Sequence, residues 1–278
     1  MGFVTIMYLL TGAIAGFFSG LLGIGGGLVT VPALVYVFHL NVVFPDAAVM
    51  HRAIGTSFVI MFCTSLFSAW SHARHHMVSW VHVQRLMLGT CFGVLGGLYV
   101  GRLLSGAYLR TLFGVFLIFL AFDLLWGLFK PRSESRALLQ SPQKSEVWGS
   151  SWALMLIGLS IGLLSGVLGV GGGFLMVPLL LKSGESIRSA SGTAVMCILP
   201  TSLMGTVSSL LSTPTWSSTA HLPMGVMGYV YWPAVLWVTV ASFFFIRLGV
   251  YFCKISSESV LKSLFAGLML VVGVSLWY

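Results

Sequence analysis

Charge is what this chain has least of. Only 7% of its 278 residues are Asp, Glu, Lys or Arg, and just six are acidic. Soluble globular domains carry roughly 25% charged residues. With 58% hydrophobic residues and a mean hydropathy of +1.01, this chain would aggregate in water, so its main solvent is lipid. The scarcity of acids also removes most enzyme classes: no nucleophile with a base, no intramembrane His pair and no metal set can be assembled. Cysteine is scarce too. Cys63, Cys91, Cys197 and Cys253 sit singly in apolar segments without CxxC spacing, which reads as small packing residues rather than redox or metal chemistry. A nucleic-acid partner is excluded despite the net charge of +8, because the basic residues stand singly at the ends of apolar runs. No cofactor is expected.

What is abundant is long apolar sequence, read as segments 3–38, 53–72, 81–104, 106–129, 152–182, 190–212, 226–252 and 257–278, each near or above the ~20 residues of a membrane span. The first runs from Met1-Gly2-Phe3 without a basic stretch into a motif that recurs later, and is expected to be retained structure rather than a cleaved leader.

Self-comparison shows a duplication. Residues 16–34 (GFFSGLLGIGGGLVTVPAL) and 162–180 (GLLSGVLGVGGGFLMVPLL) are identical at eleven of nineteen positions, with the glycines and Pro32/Pro178 in register. Then RAIGTSFVIMFCTS (52–65) pairs with SASGTAVMCILPTS (189–202), and GLYVGRLLSGAYLRTLF (97–113) with GVYFCKISSESVLKSLF (249–265). The expected organisation is an all-α membrane protein of two homologous four-segment halves, 1–129 and 150–278. They are joined by a polar, Ser- and Pro-containing linker, 130–149.

The first segment of each half is too long for one straight span: 36 residues would make a helix of about 54 Å against a ~30 Å hydrocarbon core. Counting Lys and Arg decides how it folds. If each long segment crosses once, the two faces hold six and eight basic residues; if each turns back at its Gly-rich centre, they hold eleven and three. Cytoplasmic loops carry the excess, so the expectation is inverted repeats with Gly-broken first segments, the linker cytoplasmic and both termini outside.

Irregular backbone at membrane depth is tolerated only where it lines protein or a water-filled cavity. In inverted-repeat transporters such breaks meet near the midplane and aim helix N-termini at anionic groups. Gly25, Gly26 and Gly27, with Gly171, Gly172 and Gly173, are therefore the first candidate solute-binding residues; Gly16, Gly20, Gly162 and Gly166 have the spacing of helix packing instead. The run lacks a following GK[ST], so it is not a phosphate loop. Thr56 and Ser57 after Gly55, and Thr193 after Gly192, are further candidates, set against the ordinary habit of such hydroxyls to bond their own helix. Arg52 could attract an anion from the outer face, or be a plain interfacial arginine. Asp123 is the acid deepest in an apolar segment and a possible coupling residue, or an interfacial one. His72, His75, His76 and His82 cluster around a loop without an acid or Cys beside them, and read as solvated residues rather than metal ligands.

The doubled glycine motif, the GTS and GTA elements, and the LRTLFG and LKSLFA segments together resemble the sulfite exporter TauE/SafE family over nearly the whole chain. The resemblance implies a multi-pass inner-membrane transporter of sulfite, sulfoacetate or related sulfur-containing and organic anions, working by alternating access. Its partners would be a small anionic solute and the bilayer. The chain departs from its own repeat at Ala194, opposite Ser57, and in the Gly-poor stretch Phe243-Phe244-Phe245. A membrane enzyme or an assembly subunit is the alternative reading; neither requires two matched glycine breaks.

Overall fold

The computed structural model describes residues 2–40, 44, 46–129, 151–212 and 225–275; the linker expected at 130–149 lies outside them. Ten helices follow in order among the described residues: α1 (Gly2–Leu22), α2 (Gly27–Leu40), α3 (Asp46–Arg74), α4 (Trp80–Leu103), α5 (Gly106–Phe129), α6 (Ser151–Leu168), α7 (Gly173–Lys182), α8 (Ile187–Leu211), α9 (Trp232–Ile255) and α10 (Glu258–Ser275). Six of them, α1, α3, α4, α5, α8 and α9, are long and apolar enough to cross a membrane. The all-α membrane architecture is thus present, and both first segments are broken, after Leu22 and after Leu168.

Two expected segments differ. The second begins at Asp46 rather than residue 53, which draws His51 and Arg52 into a helix. The segment expected from residue 226 opens instead with a two-residue hairpin, Val226–Met227 (β1) paired to Val230–Tyr231 (β2), before α9 starts. Gly225 and Gly228 turn there with φ of +89° and +57°, and Pro233 lies at the first turn of α9, where its missing N–H costs nothing.

The halves interlock rather than sit side by side. Gly12, Gly16 and Gly20 of α1 face Val238, Ser242 and Ile246 of α9, so these helices run parallel in close contact. Gly158, Gly162 and Gly166 of α6 face Leu86, Thr90 and Val94 of α4 in the same way. A Cβ on Gly16 would lie 2.6 Å from Ser242 Cα, so these glycines have the packing role expected of them. At the centre α3 and α8 pair antiparallel: Phe58 lies on Gly205, Ser65 Oγ is 3.4 Å from Ser202 Oγ, and Met77 O lies over Gly192.

Within the first half, α2 runs back along α3. Thr64 Oγ1 donates to Gly25 O at 2.9 Å, Thr30 Oγ1 lies 2.9 Å from Ser57 Oγ, and Phe38 packs edge-on against Phe44 just before α3 begins. At 14 and 10 residues, α2 and α7 are about 21 and 15 Å long, both too short to cross a ~30 Å hydrocarbon core.

Candidate functional site

Both breaks adopt one backbone conformation. Gly23, Gly25 and Gly26 have φ of +67°, +70° and +78°; Gly169, Gly171 and Gly172 have +73°, +71° and +78°. L-residues are strained by roughly 1–2 kcal/mol in this region, so the three-glycine pattern is a requirement of the turn itself. After the break, Val29 and Thr30 donate to Gly26 O, and Leu175 and Met176 to Gly172 O. The amides of residues 25–27 and 171–173 precede these first helical bonds and form the positive pole of each short helix.

The two breaks touch. A Cβ on Gly27 would lie 3.0 Å from Val170 Cα, and one on Gly173 would lie 2.9 Å from Ile24 Cα. Ile24 and Val170 are both fully buried. Met61 and Ile198, which occupy equivalent positions in α3 and α8, wedge between the breaks. A Cβ on Gly171 would lie 3.0 Å from both Met61 Sδ and Ile198 Cγ2. Sequence reasoning did not find this pair, since two apolar residues in apolar helices carry no signal.

Ser57 ties one break to the other: its hydroxyl donates to Gly169 O at 3.2 Å and meets Thr30 Oγ1, which itself leans on Gly26 O at 3.2 Å. The relay exists once only, because the equivalent positions hold Ala194 and Met176. Thr64 grips Gly25 O, whereas its equivalent Thr201 bonds its own helix at Cys197 O and Ile198 O. Thr64 was legible as a duplicated hydroxyl; its hold on the break was not.

Thr56 and Thr193 are engaged elsewhere. Thr56 Oγ1 accepts from Tyr231 N (3.1 Å), the residue before α9, and Thr193 Oγ1 accepts from Ser79 N (2.9 Å), the residue before α4. These partners are equivalent residues of opposite halves, so each threonine pins the start of the other half's fourth helix. The matching turns carry φ of +54° at His76 and +57° at Gly228. His76 thus has a backbone role in its turn. The histidine group is dispersed: His72 is fully buried, His75 and His76 are exposed, and His82 lies 2.9 Å from Ser79 Oγ and 3.2 Å from Glu185.

Arg52 is the largest fully buried side chain of the described residues, at 1% exposure. Its guanidinium carbon stands 4.6 Å over the Phe44 ring, and Nη1 reaches Gly228 O at 3.5 Å, the limit of a hydrogen bond. Nε and Nη2 have no hydrogen-bond partner among the described residues. A cavity of about 30 Å³ adjoins, lined by His51, Gly55, Arg102, Gly166, Ser209 and Tyr229, with room for little more than a water-sized group. Asp123 lies away from the breaks, on the surface, in a 2.6 Å ion pair that joins the last turns of α5 to Lys182 at the end of α7.

Comparison with known proteins extends this picture. The family model for Sulfite exporter TauE/SafE matches residues 8–276. A probable membrane transporter protein of Haemophilus influenzae is 33% identical over 273 residues, covering 98% of this chain and 97% of its own. One from Methanocaldococcus jannaschii is 26% identical over 96% of this chain and 93% of its own. The Bacillus subtilis protein YunE, also a probable membrane transporter, is 30% identical over 76% and 80%. No solved structure matches the chain. A match that runs through both glycine breaks and both halves makes this chain a membrane transporter of the sulfite exporter TauE/SafE family.

Proposed function

We propose that the chain carries small anions, sulfite or related sulfur-containing and organic anions, by alternating access around the two glycine breaks. One observation carries the reading: two backbone breaks of identical left-handed conformation meet in the interior, each ending in the amides of a short helix. Converging helix N-termini favour negative charge without a fixed cation. On this reading Gly25, Gly26, Gly27, Gly171, Gly172 and Gly173 line the anion site and Ser57 links its two sides. Arg52 is the cation that draws the solute inward. Thr56 and Thr193 act as pins about which α9 and α4 reorient. Met61 and Ile198 close the site in this conformation and withdraw when it loads.

The antiparallel pairing of α3 with α8, helices of equivalent sequence, supports inverted repeats, as does the return of α2 along α3. Units 1–129 and 150–278 are then the two repeats, each crossing the membrane three times. The excess of Lys and Arg on one face supports a cytoplasmic linker and external termini in a cell inner membrane. Asp123, held to Lys182, is a weaker coupling candidate than its sequence position suggests.

The test is flux into liposomes containing the purified chain, with sulfite, sulfate, thiosulfate, sulfoacetate and acetate supplied in turn, with and without a proton gradient. At least one sulfur-containing anion is expected to enter saturably above protein-free liposomes. If intact protein carries none of the five, the substrate class is wrong.

A further inference from the structure

A second, wider groove lies between the C-terminal ends of α3 and α9, where Val250 packs on Gly20 about one turn before the first glycine break. Its volume is about 630 Å³, within the size range of ligand sites, and it is lined by Trp70 and Arg74 from α3, by His75 just beyond it, and by Arg247, Tyr251 and Lys254 from α9. Helical spacing puts Arg247, Tyr251 and Lys254 on one stripe of α9, and Trp70 and Arg74 on one stripe of α3. The two helices run parallel here, with Phe67 packed edge-on against Phe243 at 4.7 Å. Among the described residues none of the three cations has an acidic partner. The Arg74 guanidinium leans on the Trp70 ring (5.6 Å) and that of Arg247 on Phe243 (5.2 Å), so aromatic faces hold them instead.

The internal repeat supplies a control. At the equivalent groove between α8 and α4, Leu211 stands for Arg74 and Leu95 for Arg247, while Arg102, the equivalent of Lys254, is spent on Ser208 O and Oγ at 3.1 and 2.8 Å. Packing of this fold therefore does not call for charge at these places. Arg247 lies two turns before the end of α9, flanked by exposed Phe244, Leu248 and Tyr251, a stretch that faces lipid rather than water. A cation at that depth, with a second and third nearer the helix end and exposed Trp70 and Tyr251 beside them, matches the ladder presented by an anionic lipid at the interface.

We propose that this groove binds the phosphate headgroup of an anionic membrane lipid, with Arg74, Arg247 and Lys254 around the phosphate and Trp70 and Tyr251 against the glycerol and upper acyl region. A free inorganic anion shares the phosphate chemistry but would gain nothing from the aromatic and lipid-facing wall. The site is independent of the transport reading, since it shares no residue with the glycine breaks.

The full chain in detergent is titrated with phosphatidylglycerol, with phosphatidylcholine of the same acyl chains, and with inorganic phosphate, following lipid adducts by native mass spectrometry and the melting temperature. Phosphatidylglycerol should stay bound and raise the melting temperature, while the other two do neither. Arg74→Gln with Arg247→Gln should weaken phosphatidylglycerol binding by about tenfold or more, as expected for loss of two interfacial cations. Arg247→Leu alone, which copies the other half and is safest for folding, should weaken it by a smaller factor. Equal phosphatidylglycerol binding by both variants and the unaltered chain would overturn the proposal. So would inorganic phosphate reproducing the melting shift, which would make the groove a site for a soluble anion.

Discussion

Replacing Gly26 and Gly172 by leucine should abolish anion flux while leaving a folded protein in the membrane. Both residues hold φ of +78°. A side chain there is strained by roughly 1–2 kcal/mol, small against the packing of ten helices but enough to make the turn relax rather than hold. Neighbouring contacts add to this: a Cβ on Gly26 would lie 3.3 Å from Ala15 O, and one on Gly172 3.0 Å from Ile161 Cγ2. Relaxation displaces the amides of residues 25–27 and 171–173, and donors aimed at an anion lose most of their value when misplaced by about 1 Å. A loss of at least about tenfold is expected for each single variant, since each 1.4 kcal/mol is a factor of ten, and no measurable flux for the pair. The checks are flux in liposomes together with size-exclusion behaviour and melting in detergent. Normal flux from a well-folded double variant would return these glycines to simple packing.

Arg52→Gln should do something less common: raise the melting temperature while cutting anion flux. A fully buried guanidinium that has two nitrogens without a hydrogen-bond partner, and no counter-ion, among the described residues is a costly arrangement, on the order of several kcal/mol. The Phe44 ring offsets only part of that. Proteins retain such an expense where function requires it. Glutamine keeps a polar head for Gly228 O and removes the charge, so stability should rise. The anion loses its attraction, and flux at low solute concentration should fall by tenfold or more, on the order of a 1.4 kcal/mol loss, with partial recovery in Arg52→Lys. A purely structural Arg52 would behave the other way: its loss would lower the melting temperature and leave the flux of surviving protein unchanged.

Much of the fold was legible because glycine chemistry leaves few alternatives. Three near-consecutive glycines in a lipid-soluble helix force a break, and their repetition 146 positions later, Gly26 to Gly172, marks the second. Which helix each small-residue stripe would meet was not legible. Gly12, Gly16 and Gly20 announce close approach but carry no address, and their partner, α9, lies more than 200 residues away in the other half. Asp46, His51 and Arg52 interrupt the apolar run, so hydropathy alone starts α3 too late. Only the tertiary setting, with Arg52 under Phe44 and His51 Nε2 3.2 Å from Leu104 O, buries His51 and Arg52 within a helix. Likewise Thr56 and Thr193 advertise a special position by being duplicated beside a glycine, yet nothing local says that each pins a backbone amide of the other repeat. Asp123 looked solitary in sequence because Lys182, its partner, lies across the linker in the second half.

Hydrogen–deuterium exchange of the amides in residues 25–28 and 171–174, with and without a saturating concentration of whichever anion the liposomes carry, addresses the site most directly. Slower exchange in both segments together on adding that solute is the predicted result. Unchanged exchange in either segment, under conditions where the same preparation transports, would contradict a shared anion site at the two breaks.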